Sequence, residues 1–207
     1  MTVNKKDGQQ AVAAGPVPPG AMPARPGVLD LSALNVLLID GSRFMNSLVI
    51  SVLKALNVGR VSVATDGAQA IEILETSLIM AKAGMRFEID ILVLERSLPV
   101  RDGDAVLRWV RTHRDDMIRF LPIIMTSGYA TEAAVREARD LGATEFLVKP
   151  FSVKSLCDRI LNIINNPRPF VKAPGFFGPD RRRKVEPLTG EERRNAGRAV
   201  RESREAP

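Results

Sequence analysis

Asp90-Ile91-Leu92-Val93-Leu94-Glu95 is the stretch whose reading decides the fold. Four apolar residues stand in unbroken succession between acids, with no polar alternation. A strand of that kind is buried on both faces, the condition of a strand inside a parallel sheet rather than at a half-wet surface. Four similar runs surround it, at Val36–Ile39, Val61–Ala64, Ile123–Met125 and Phe146–Val148.

Amphipathic stretches of helical length separate these runs. In the first, Phe44, Leu48, Val49, Val52, Leu53 and Leu56 recur at three- and four-residue steps, which places them on one helical face. Further helices are predicted over about 68–83, 103–112, 131–141 and 153–165. Asp66, Asp102 and Ser152 stand where N-caps belong, and Gly142 follows the fourth helix as a C-cap would. Strands alternating with helices in this way predict an α/β fold with a five-stranded, parallel, doubly wound sheet.

The flanks read differently. Residues 1–33 carry Pro16, Pro18, Pro19, Pro23 and Pro26 and four glycines, with few large apolar side chains. Such a segment buries too little surface to offset its ordering entropy, so a disordered leader is expected. Residues 167–207 are punctuated by Pro167, Pro169, Pro174, Pro179 and Pro187 and are expected to form a flexible basic tail. The folded domain is thereby expected over 34–166.

Charge is unevenly spread. The chain of 207 residues carries a formal +6, and from Arg168 onward there are eleven Lys/Arg against six Asp/Glu, a net +5. A basic tail suits an anionic partner or simply a solubilising segment. The single cysteine, Cys157, shares a helical face with Val153, Leu156, Ile160, Leu161 and Ile164; it reads as a small core residue and can form no internal disulfide. No apolar run approaches the roughly 18 residues of a membrane span, and the N-terminal stretch lacks the apolar middle of a signal peptide. A cytoplasmic protein with no membrane contact is expected. The lone His113, between basic neighbours at a helix end, reads as a solvated residue rather than a metal ligand.

In an open parallel sheet, function gathers at the carboxyl ends of the strands near the point where strand order reverses. Those ends carry Asp40, then Glu95, then Thr126 with Ser127, then Lys149-Pro150. Two carboxyls, a hydroxyl and an ammonium converging at one edge form a candidate site.

The set of motifs resembles the receiver domain of two-component response regulators. The segments that carry the likeness are Leu37-Leu38-Ile39-Asp40, Thr65-Asp66-Gly67-Ala68, Asp90 to Glu95 leading to Leu98-Pro99 and Asp102-Gly103, Pro122-Ile123-Ile124-Met125-Thr126-Ser127, and Gly142-Ala143 through Val148-Lys149-Pro150-Phe151. The resemblance covers about 35–165 and implies a flavodoxin-like receiver fold working in phosphorelay signal transduction. In typical members a histidine kinase passes its phosphoryl group to an aspartate. Paired acids after the first strand hold Mg²⁺, while a threonine or serine and a lysine contact the phosphoryl group. By that likeness Thr126 and Phe146 take the switch positions and Lys149 the phosphoryl-contact position.

Two departures fall on the chemistry. The second metal acid is replaced by Gly41, and the acceptor aspartate by Glu95. Losing an oxygen ligand weakens any Mg²⁺ site, so Asp40 and Glu95 are expected to hold Mg²⁺ at most weakly and no cofactor is expected. One extra methylene displaces the carboxylate where positioning supplies much of the catalysis. The expected protein is a single-domain, chemotaxis-regulator-like pseudo-receiver, not an enzyme. It is either locked active-like or used as a docking scaffold for signalling proteins, a histidine kinase or a downstream target. The alternative is a working phospho-acceptor. Arg43 and Arg96 flank the pocket in sequence and are candidates to supply a cation there, or are plain solvated loop residues. For Phe146, core packing is the other reading.

Beyond the domain, Phe176 and Phe177 precede Arg181, Arg182, Arg183 and Lys184 in a Pro/Gly frame. Arginines suit planar capture of phosphate, and aromatics suit stacking. Arginine-rich extensions of this sort resemble those of single-domain regulators that bind cyclic di-guanylate (cyclic di-GMP), which makes these six residues anion-binding candidates. An acidic protein surface is the competing partner. No helix-turn-helix pattern follows, so no DNA-binding domain is expected.

Overall fold

The computed structural model describes residues 10–11, 31–129 and 131–180. In chain order the elements are β1 (Gln10–Ala11), β2 (Asn35–Ile39), α1 (Arg43–Ala55), β3 (Arg60–Ala64), α2 (Gly67–Lys82), β4 (Ile91–Glu95), α3 (Gly103–Thr112) and α4 (Asp116–Arg119). There follow β5 (Ile123–Ser127), α5 (Glu132–Asp140), β6 (Glu145–Val148), α6 (Val153–Asn165), β7 (Phe170–Ala173) and β8 (Phe176–Pro179).

Five strands form one parallel sheet in the order β3-β2-β4-β5-β6. Every residue of β4 is buried, as its unbroken apolar run requires. Successive side chains leave a strand on opposite faces, so the sheet divides its residues between two cores. Leu37, Ile39, Leu92, Leu94, Ile123 and Met125 pack with α2 and α3. Val36, Leu38, Ile91, Val93, Ile124 and Leu147 pack with α1 and α6. The chain leaves β2 for β3 on one side and returns to β4 on the other, so the reversal of strand order lies between β2 and β4. Their carboxyl ends carry Asp40 and Glu95.

The helix signals act as read. Asp66 accepts from the amides of Ala68 and Gln69, Asp102 from Ala105, and Ser152 from Ser155. Gly142 follows α5 at φ +100, the left-handed region that glycine enters without penalty.

Both domain boundaries need correction. At the N-terminal side the folded part begins by Leu31, which is buried in the α1/α6 core and whose carbonyl accepts from Leu34 and Gly59. Within the leader, Gln10 and Ala11 pair antiparallel with β7; residues 1–9 and 12–30 lie outside the described residues. At the other end the expected flexible tail is a β-hairpin as far as Asp180. Pro174-Gly175 forms its turn, with Gly175 at φ +73, as a Pro-Gly β-turn demands.

Aromatic packing holds the hairpin to the domain. The Phe170 ring meets Phe120 at 4.8 Å and Phe177 at 5.5 Å between centroids, and Phe120 meets Phe177 at 5.1 Å. Two guanidiniums interleave with these rings, Arg111 over Phe170 and Arg119 over Phe120 and Phe177. Arg111 is buried and donates to the carbonyls of Gly142, Arg119 and Leu121 at 2.8–2.9 Å. Burial pulls its pKa down to about 9, so it remains charged at neutral pH. A side chain on Gly178 would strike Gly142, so the hairpin lies directly on the α5–β6 turn.

Phe170 is 7% exposed, and its truncation opens a cavity beside the Phe120 and Phe177 rings. Phe170→Ala is expected to cost about 3 kcal/mol in urea unfolding. A loss below about 1 kcal/mol, the range of surface substitutions, would make the hairpin a peripheral ornament.

Candidate functional site

Asp40 follows β2 and Glu95 ends β4; the two are 5% and 7% exposed. Lys149 follows β6, its amide fixed to the carbonyl of Ser127 at 2.8 Å. Its ammonium reaches both carboxylates, donating to Asp40 Oδ2 at 2.6 Å and to Glu95 Oε2. The remaining carboxylate oxygens are also taken. Asp40 Oδ1 accepts from the Ser42 amide at 2.8 Å, and Glu95 Oε1 from the Ser97 amide at 3.1 Å. Asn46, buried in the first turn of α1, donates its side-chain amide to the Asp40 carbonyl at 2.9 Å. The result is a closed clasp of two carboxylates around one internal cation.

The other expected site residues divide. Phe146 is half-buried against the α2/α3 core, opposite Met125. Thr126 is buried opposite Glu95 in the ladder, its carbonyl accepting from the Arg96 amide at 2.9 Å. It is Ser127, one residue on, that lines a cavity of about 300 Å³ beside Glu95, together with Arg96, Ser97, Asp102, Asp104 and Tyr129. The hydroxyl on the cavity side is thus that of Ser127, whose Oγ accepts from the Tyr129 amide at 3.1 Å, because adjacent strand residues face opposite ways.

Arg43 is exposed at the start of α1. Arg96 turns from the carboxylates to Asp104 and Glu137, so it supplies no cation to the clasp. His113 caps α3, with Nδ1 accepting from the Asp115 amide and its ring against Trp109. Phe177 is committed to the hairpin's aromatic cluster and Phe176 to strand β8; Arg181, Arg182, Arg183 and Lys184 lie outside the described residues.

Mg²⁺ demands near-octahedral oxygen coordination. Here all four carboxylate oxygens already hold N–H donors, a lysine stands between them and Gly41 contributes no ligand. Among the described residues no cluster of three or more His, Cys, Asp or Glu could hold a metal. The residues present do not fit the ion. A side chain at Gly41 would come within 3.3 Å of Pro99 Cδ and 3.4 Å of the Thr65 carbonyl, so an acid there needs only slight adjustment.

A five-stranded doubly wound sheet with acids and a lysine at its switch point defines a receiver-type signalling module. The model of the response regulator receiver domain matches residues 36–161, and the chain belongs to that family, the receiver domains of two-component signalling. It is 26% identical over 130 residues to the chemotaxis protein CheY of Pseudomonas aeruginosa, across 63% of this chain and 95% of that protein. To the transcriptional regulatory protein CpxR of Escherichia coli it is 32% identical over 130 residues, 62% of this chain and 48% of CpxR. Among solved structures, the receiver domain of the histidine kinase CKI1 from Arabidopsis thaliana, complexed with Mg²⁺ and BeF₃⁻, has a TM-score of 0.58. It is 24% identical, covering 66% of this chain and 93% of that one, a likeness of fold. No helix among the described residues is long and apolar enough to cross a membrane.

Lys149 is the only cation that reaches Asp40 and Glu95 among the described ion pairs. Removing one partner of a buried ion pair leaves uncompensated charge and costs about 3 kcal/mol or more. Lys149→Met is expected to lower stability by that order in urea unfolding at pH 7. Unchanged stability would mean that the clasp does not hold the strand ends together.

Proposed function

We propose that this chain is a pseudo-receiver, a signalling module in the cytoplasm that works by protein contact with its Asp40–Lys149–Glu95 clasp permanently closed. One observation carries the reading: the lysine ammonium bridges both carboxylates, so the place of a metal is filled from within the chain. Glu95 contributes by its length. Its carboxylate extends one methylene beyond an aspartate and accepts from Lys149 directly, which makes it a fixed acceptor of hydrogen bonds rather than of a phosphoryl group. Phosphoryl transfer draws its rate from positioning and charge neutralisation, and both are spent here on internal pairing. The partners are signalling proteins, a histidine kinase or a downstream target, which read the surface and not the chemistry. No catalytic turnover is assigned.

The test is mass spectrometry after incubation with acetyl phosphate and Mg²⁺. The natural chain is expected to remain unmodified. The double variant Gly41→Asp with Glu95→Asp restores a second acid and a shorter acceptor, with Lys149 and Ser127 already in place, and is expected to gain one phosphoryl group. A stoichiometric gain in the natural chain that vanishes in Glu95→Gln overturns the reading in favour of a phosphorylatable receiver.

The net +5 from Arg168 onward favours a second activity, capture of an anionic ligand such as cyclic di-guanylate by Arg181, Arg182, Arg183 and Lys184. With Phe177 committed elsewhere, the attraction is one of charge alone. Binding measured by calorimetry should fall steeply as salt shortens the screening length from about 10 Å at 0.1 M to about 3 Å at 1 M. Equal binding by the chain and by a variant with the three arginines changed to alanine would remove the tail from function.

A further inference from the structure

Helix α5 has little apolar grip on the domain. Of its nine residues, Glu132–Asp140, only Ala134 and Ala138 are buried, and two methyl groups exclude little surface from water. What holds it is polar, and most of that comes from one side chain on another element. Arg96, the residue after Glu95, donates from Nε to both carboxylate oxygens of Asp104 on α3, at 3.1 and 3.2 Å, and from one terminal nitrogen to Asp104 again at 2.9 Å. The same nitrogen donates to Glu137 on α5 at 2.7 Å, and the other to the carbonyl of Ala134, also on α5, at 3.3 Å. One guanidinium therefore joins the end of β4, the first turn of α3 and the middle of α5.

The chemistry suits a tether. A guanidinium is planar and presents its donors in a fixed fork, so pairing with Asp104 fixes the plane and thereby aims the other donors at α5. Arg96 and Asp104 are each 19% exposed, Glu137 61%. The Asp104 arm is shielded and permanent, while the Glu137 arm is open to salt. The paired acids hold the Arg96 pKa above its ordinary value, so the tether stays charged throughout the physiological range.

We propose that Arg96 is a tether that fixes α5 against α3 and β4, so that the outward face of α5, including Val135, Arg136 and Arg139, is presented in one set position. This goes beyond the pseudo-receiver reading and does not depend on it: the tether acts on the helix whether or not Glu95 is ever modified.

Amide hydrogen exchange on the full chain, with no phosphodonor present, reads the tether directly. In Arg96→Ala the amides of α5 are expected to exchange at least about tenfold faster than in the natural chain, while those of β4 and α6 keep their protection. In Glu137→Gln, a substitution at an exposed position that the fold tolerates, a smaller acceleration confined to α5 is expected, and high salt should reproduce it in the natural chain. Unchanged α5 exchange in Glu137→Gln and Arg96→Ala overturns the proposal. If Arg96→Ala proves unfolded, Glu137→Gln and the salt series decide alone. Phosphorylation of Glu95 in the separate mass experiment would sink the pseudo-receiver reading and leave this one standing.

Discussion

Two carboxylates brought together at the carboxyl edge of a parallel sheet repel each other unless a cation stands between them, and in this chain that cation is Lys149. The sheet makes the demand. Register sets Ile39 beside Leu94, so Asp40 and Glu95 emerge side by side at the switch point. The lysine arrives from β6, separated from β4 by β5. With neighbouring strands about 4.8 Å apart, its side chain must cross the end of a whole strand to reach them. Glu95 meets it part-way by being one methylene longer than aspartate. The glutamate thus fits its place structurally, a longer acid meeting a long base across the end of β5.

Two arginines extend the same logic to the rest of the domain. Arg96 spends its donors on α3 and α5, and Arg111 spends its donors on the carbonyls of the α5–β6 turn, of α4's end and of Leu121. Each ties elements distant in sequence through a charge whose partners are fixed. The hairpin β7–β8 then lays its phenylalanines over Arg111 and Arg119, closing the end of the domain opposite the clasp. Lys149, Arg96 and Arg111 are thus three cations whose partners lie within the domain.

The sheet and its helices were legible because their signals are local. Unbroken apolar runs, three- and four-residue periodicity and side-chain caps at Asp66, Asp102 and Ser152 each act within a few residues. The clasp was half legible: Asp40, Glu95 and Lys149 announce themselves by position at the strand ends, but that the lysine joins both acids is a matter of side-chain reach. The misreadings were non-local or turned on one residue of register. Phe170-Val171-Lys172-Ala173-Pro174-Gly175-Phe176-Phe177 is strand, turn and strand, but Pro174 and the prolines flanking the stretch weighed as breakers while Phe120, the ring that makes the hairpin worth forming, lies some fifty residues earlier. Leu31 is one leucine in a Pro/Gly-rich setting, given a role only by the core it enters. Thr126 and Ser127 are neighbouring hydroxyls on opposite faces, and the alternation that separates them is fixed by the ladder. Arg96 finds partners on two helices, which no spacing rule connects.

The central claim, that an internal lysine fills the place of the metal, is tested most directly by nuclear magnetic resonance of the backbone amides of Ser42 and Ser97 during a Mg²⁺ titration. Those amides donate to the outer oxygens of Asp40 and Glu95 and report any ion that enters between the carboxylates. The clasp predicts that both resonances stay in place through millimolar Mg²⁺. A saturable shift of the two together, abolished in Asp40→Asn, would show that the ion displaces Lys149 and would contradict the account.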